Sequence, residues 1–115
     1  MRRLVTGLIV AMFWLGAIAG TWAAELPTSN LPDAAPLFET HCAGCHINGG
    51  NIIRRGKNLK QKTLERNGYD TAEAIAQLVT HGKGNMPAYA DRMTPDEIQA
   101  VANYVLEQAA QNWKP

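Results

Sequence analysis

Two cysteines, three histidines and two phenylalanines are all that 115 residues contain of those types. Two cysteines allow one disulfide at most, which excludes the multi-bridge frameworks that hold many small exported domains together. No stretch alternates apolar and polar residues with a period of two, so a sheet is not expected. Six cations, Arg54, Arg55, Lys57, Lys60, Lys62 and Arg66, form a basic block without one interleaved aromatic residue. A nucleic-acid surface would pair such charge with stacking rings, so that partner class is excluded.

The one long apolar run lies at the N terminus. MRRLVTGLIVAMFWLGAIAGTWAA opens with two arginines, continues uncharged from Leu4 to Gly20 and ends in small residues. That is the layout of a secretory signal peptide, residues 1–23, cut after Ala23 or Ala24. The alternative is an uncleaved anchor at the short edge of what spans a bilayer. Either way the remainder, one domain over residues 24–115, is exported and no longer spans a membrane once the signal is removed. Losing Arg2 and Arg3 leaves nine Lys and Arg against ten Asp and Glu, a net charge near −1.

A domain this small struggles to bury a sufficient core unaided and usually adds a bridge, a metal or a bound cofactor. Beyond the Pro-rich lead-in the apolar residues recur with helical periodicity. Ala34, Leu37, Phe38 and His41 share one helix face running into Cys42. Residues 47–58, rich in Gly and Asn, read as a loop. A short helix is expected over Leu59–Arg66, ended by Asn67-Gly68. Asp70-Thr71-Ala72-Glu73 is a capping-box-like start for a helix to about Thr80, stopped at Gly82. After a second loop, residues 81–90, Thr94-Pro95-Asp96-Glu97 starts a last helix to about Gln111. The fold class is all-α, three or four helices with two long loops.

Both cysteines fall in Cys42-Ala43-Gly44-Cys45-His46. CxxC followed directly by His is the attachment signature of a c-type haem. Two intervening residues let both sulfurs add to neighbouring vinyl groups, and the adjacent histidine offers a ring nitrogen to the iron. A thioredoxin-like CxxC should instead follow a strand. A zinc site needs about four ligands, assembled here only from Cys42, Cys45, His46 and either His41 or His81. For the sixth position on iron the best candidate is Met86, in a loop and stiffened by Pro87. Met93 and His81 compete with it.

Together these residues resemble class I cytochrome c, and more narrowly the cytochrome c6 family of cyanobacteria and algae. The resemblance covers the whole mature chain: the apolar helix ending at CAGCH, the Gly-Asn loop, GKGNMPAY at residues 82–89, and the terminal helix TPDEIQAVANYVLEQA. It implies helices packed around one covalent haem c held by Cys42 and Cys45, with His46 and Met86 as axial ligands. It also implies that Phe38 and Tyr104 meet where the first and last helices cross, and that Asn51 and Lys57–Leu59 line the haem-side loop. Two positions depart from the family pattern. Leu78 stands where many photosynthetic members carry a glutamine beside the haem, which implies a lower potential. Arg54-Arg55 replaces an apolar residue and a proline, so no contact to His46 is carried over there.

The function implied is a soluble, monomeric electron carrier of the thylakoid lumen or periplasm and not an enzyme. Its donor would be a cytochrome bf-type complex, its acceptor photosystem I or a terminal oxidase. Two other classes are distinguishable from it. If Met86 dissociates readily, weak peroxidase activity is expected; a divergent lower-potential member would serve a regulatory or sensing role.

Overall fold

The computed structural model describes residues 31–115. The signal segment and its cleavage point lie outside the described residues. Five helices succeed one another: α1 (Ala34–His41), α2 (Ala43–His46, a single turn), α3 (Gln61–Asn67), α4 (Ala72–His81) and α5 (Pro95–Ala110). There is no strand among the described residues, and the all-α expectation holds.

Local chemistry sets most of the boundaries. Asp33 caps α1 by accepting from the Ala35 N–H at 3.3 Å, and Pro36 falls in the first turn, where its missing N–H breaks no helical bond. The α5 start is a complete capping box. The Glu97 N–H donates to Thr94 Oγ1 at 3.2 Å, and the Thr94 N–H donates to Glu97 Oε2 at 2.8 Å. Such a cap is worth about 1 kcal/mol. At α4 the expected box gives way to a simpler cap. Thr71, not Asp70, occupies the cap position and accepts from the Ala74 N–H at 3.2 Å, which leaves Glu73 without the reciprocal bond.

Helix α3 begins two residues later than the periodicity suggests. Leu59 is held outside the helix by long-range bonds. Its N–H donates to the Gly49 carbonyl at 2.8 Å and its own carbonyl accepts from Trp113 Nε1 at 2.9 Å. Asn58 Oδ1 also takes the Lys60 N–H at 3.0 Å.

Helices α4 and α5 pack together through Ile75, Val79, Val101, Ala102 and Val105. Helix α1 crosses α5 with the Phe38 and Tyr104 rings 5.4 Å apart and tilted by 48°. This is the contact expected at the crossing. Trp113, beyond α5, closes the cluster 5.2 Å from Phe38. Burying one such aliphatic or aromatic side chain contributes about 1.5–3 kcal/mol. One side of this small core stays open as a cleft between α1, α4, α5 and the loop after α2.

Candidate haem site

The chain turns sharply where α1 meets α2. Cys42 still donates its N–H to the Phe38 carbonyl at 2.8 Å, while its own carbonyl accepts from Cys45 and His46 at 3.1 and 2.9 Å. This single turn brings Cys42, Cys45 and His46 to the wall of the cleft. Both cysteines are free thiols, Cys42 half-buried and Cys45 exposed. His46 Nδ1 lies 2.8 Å from the Gly50 carbonyl oxygen. A carbonyl can only accept, so Nδ1 carries the proton, and the neutral ring keeps its Nε2 lone pair for a metal. The partner that orients His46 is therefore a glycine carbonyl four residues on. Arg54 and Arg55 take no part in it.

Met86 comes to the same cleft from the opposite loop. Lys83 and Met86 exchange both backbone hydrogen bonds, at 2.9 and 3.0 Å, closing a tight turn. Gly82 makes that turn possible. Its φ is +70°, and a Cβ there would stand 2.6 Å from the Met86 carbonyl and 2.7 Å from the Ala88 nitrogen. Met86 is half-buried and lines the cleft. Neither rival does. Met93 is buried in the core, and His81 is exposed with Nδ1 bonded to the Gln77 carbonyl at 3.0 Å.

Three contributors carried no predicted role. The Gly50 carbonyl is one, invisible because any residue supplies a carbonyl. Tyr89 is another: buried, three residues after Met86, it donates its hydroxyl to the His41 carbonyl at 2.9 Å. It thereby ties the methionine loop to the residue preceding Cys42. Burial first, and then the Cys42 charge, push its pKa up against the opposing pull of Arg92. Trp113 is the third, clamping the loop after His46 through Leu59 and against Gly49, where φ is +72° and a Cβ would meet the indole at 2.3 Å.

The cleft holds about 230 Å³, many times the 10–15 Å³ that one water needs. Phe38, Leu64, Ile75, Leu78, Val79 and Val105 give it an apolar wall, beside the polar Asn51 and Asn58 and the cations Arg54, Lys57 and Lys83. No carboxylate among the described residues lines it. Burial, reinforced by the neighbouring Cys45, pushes the Cys42 thiol up to about 11. A redox CxxC needs the opposite shift, since its thiolate is the nucleophile. Among the described residues no three of His, Cys, Asp and Glu form a metal-binding group, and His81 lies off the cleft, so the four-ligand zinc set gains no support. A flat apolar macrocycle carrying iron fits what remains: two thiols, an oriented imidazole and a thioether around an apolar cavity with a cationic rim.

Comparison with known proteins agrees. The family model described as cytochrome c oxidase, cbb3-type, subunit III matches residues 29–105, which include both CAGCH and the Met86 turn. A cytochrome c6-like protein of Nostoc sp. PCC 7120 is 50% identical over 107 residues, 93% of each chain. Cytochrome c6C of Synechococcus sp. PCC 7002 is 60% identical with a TM-score of 0.67, over 70% of this chain and 98% of that one. Cytochrome c6B of Synechococcus sp. WH8102 is 53% identical with a TM-score of 0.69, over 72% and 94% respectively. Membership at this level implies one covalently bound haem c and the role of a haem electron carrier, and the two cysteines are compatible with it. With near-complete coverage of relatives bearing the same name, the chain belongs to the cytochrome c6 family.

Proposed function

We propose that this chain is a soluble, monomeric carrier of single electrons in the thylakoid lumen or periplasm, exported by a signal peptide over residues 1–23. In this reading Cys42 and Cys45 would hold haem c through thioether bonds, and His46 Nε2 and Met86 Sδ would bind its iron. The observation that supports it best is that these four side chains line one apolar cleft, with no carboxylate on it among the described residues. Bound there, haem c supplies a one-electron couple.

The protein's own part is to hold and to exclude. Gly50 fixes the His46 ring, the Lys83–Met86 turn and Pro87 present the thioether, and the apolar wall keeps water away. With His46 and Met86 both holding the iron, the group would supply one-electron exchange, and no residue of this chain would act as acid, base or nucleophile. A cytochrome bf-type complex as donor, with photosystem I or a terminal oxidase as acceptor, fits the family. The relatives do not favour the regulatory alternative.

The test is a redox titration of the haem-loaded mature protein beside its Met86→Ala variant, tracked by visible absorption. A soft thioether favours the ferrous state. Wild type should therefore titrate as one single-electron wave, and the variant should lie lower by on the order of 100 mV. It should also bind carbon monoxide rapidly when reduced. Equal potentials and equal carbon monoxide kinetics would remove Met86 from the coordination sphere.

A further inference from the structure

Three threonines lie inside helices, and one of them behaves differently. Thr40 Oγ1 donates to the Pro36 carbonyl at 2.8 Å and Thr80 Oγ1 to the Ala76 carbonyl at 2.7 Å, in each case four residues back. Thr63, on α3, makes no such bond. The carbonyl four residues before it, that of Leu59, accepts from Trp113 Nε1 at 2.9 Å. The Lys60 carbonyl takes the Thr63 and Leu64 N–H groups, both at 2.9 Å. Thr63 Oγ1 itself accepts from Arg66 Nη2 at 3.4 Å, so its oxygen is engaged while its proton finds no acceptor among the described residues. The residue is only 6% exposed and lines the cleft. Buried donors are rarely left unspent, so an acceptor should arrive with whatever fills the cleft.

The surroundings specify what kind of acceptor. Thr63 belongs to a hydrogen-bonded polar corner. Asn67 Nδ2 donates to the Thr63 carbonyl at 2.9 Å, Lys57 Nζ to Asn67 Oδ1 at 2.9 Å, and Asn51 Nδ2 to the Lys57 carbonyl at 3.1 Å. All four residues line the cleft. The charged groups on the cleft are the cations Arg54, Lys57 and Lys83, and Arg66 adds another on α3. Its remaining ionisable side chains, once the two thiols are bonded, are His41, His46, Tyr69 and Tyr89. A guanidinium donating to a hydroxyl oxygen polarises the O–H and strengthens it as a donor. An anionic acceptor suits every one of these features.

We infer that Thr63 donates its hydroxyl hydrogen bond to a carboxylate arm of haem c and helps to keep that arm charged. The inference rests on the haem-carrier reading above. Haem c carries two such arms, on the edge remote from its thioether bonds, and no carboxylate of the described residues competes for the proton. The bond is charge-assisted and so stronger than one to a neutral carbonyl. An ordered water is the rival acceptor.

Thr63→Val keeps the shape of the side chain and removes only the O–H, whereas Thr63→Ser keeps the O–H and removes a methyl group. Midpoint potentials of the haem-loaded wild type and both variants are recorded over a series of pH values, with reduced-minus-oxidised infrared spectra alongside. A hydrogen bond to the charged form lowers a carboxyl pKa, and a protonated arm no longer favours the oxidised state. The rise in potential on acidification should therefore begin about one pH unit higher in Thr63→Val, a roughly tenfold gain in proton affinity. Thr63→Ser should follow the wild type, and the carboxylate stretching band should move in the same pattern. Wild-type behaviour of Thr63→Val in both measurements would give the proton to a water and overturn the proposal. Equal displacement in the two variants would make Thr63 a packing residue and overturn it too. A wild type that shows no single-electron wave would instead sink the carrier reading.

Discussion

Leu78 shows how one side chain on the cleft wall can set what the haem does. It is half-buried on α4 and faces the cavity among aliphatic neighbours. At this position an amide would place a hydrogen-bonding dipole beside the cofactor, whereas leucine contributes only packing. A net neutral hydrogen bond is worth about 0.5–1.5 kcal/mol. One electron converts 1.4 kcal/mol into 59 mV, so Leu78→Gln should raise the midpoint potential by roughly 20–65 mV. Potentiometry of the two proteins at one pH decides this, and an unchanged or lower value would dissociate Leu78 from the tuning. Helix content should not move, since both residues are good helix formers.

Between elements, the methionine loop is latched to α1 by Tyr89. Its hydroxyl bonds the His41 carbonyl across 48 residues, and its own N–H bonds the Val79 carbonyl at 2.9 Å. Tyr89→Phe removes only the first bond, at a cost of about 0.5–1.5 kcal/mol. If the latch holds Met86 in place, carbon monoxide should reach the reduced iron about two- to twelvefold faster in the variant. A purely structural tyrosine would lower the melting temperature without changing those kinetics. The pH sense is also fixed. Burial raises the tyrosine pKa, so the hydroxyl donates at neutral pH and its contribution is lost only as pH rises through the raised folded value, above the ordinary ~10.

The same contacts explain what could and could not be read from the residues alone. The α5 start was legible because Thr94, Pro95 and Glu97 are local signals, and the Cys42–His46 motif because its spacing is itself chemistry. The α3 start was not. Leu59 is withheld from the helix by Trp113, 54 residues away, and by Gly49, and neither bond leaves a periodic trace. The orienting carbonyl of Gly50 is silent for the same reason. Trp113 could have been suspected, as a large aromatic beyond the last helix, but its partners could not. Trp113→Ala should cost about 2–4 kcal/mol through lost packing on Phe38 and a freed Leu59 carbonyl. Denaturant unfolding of the haem-loaded protein measures it, and a loss below about 1 kcal/mol would make the clamp incidental.

For the molecule as a whole, the cofactor is the missing part of the core. Phe38, Leu64, Ile75, Val79, Val101 and Val105 belong to the buried cluster and yet also line the cleft. Without a group seated there, each loses the packing partner that would fill the cleft beside it. A domain of this size has roughly 5–13 kcal/mol of stability at 0.05–0.15 kcal/mol per residue. Losing the packing along one wall of so small a core costs a large fraction of that. Cys42→Ala/Cys45→Ala, which prevents thioether attachment, should therefore give a haem-free chain with markedly weakened helical circular dichroism, a broad thermal transition and strong binding of a hydrophobic dye. The features are those of a compact state that has lost specific packing. Helix α5 should be the last to fray, because its capping box lies away from the cleft and at 16 residues it is the longest helix among the described residues. Were the haem-free variant to unfold as sharply as the loaded protein, at a similar temperature, the five helices would be self-sufficient and the cleft a preformed socket. The wall residues make the opposite outcome the expected one: the fold and the site are completed by the same binding event.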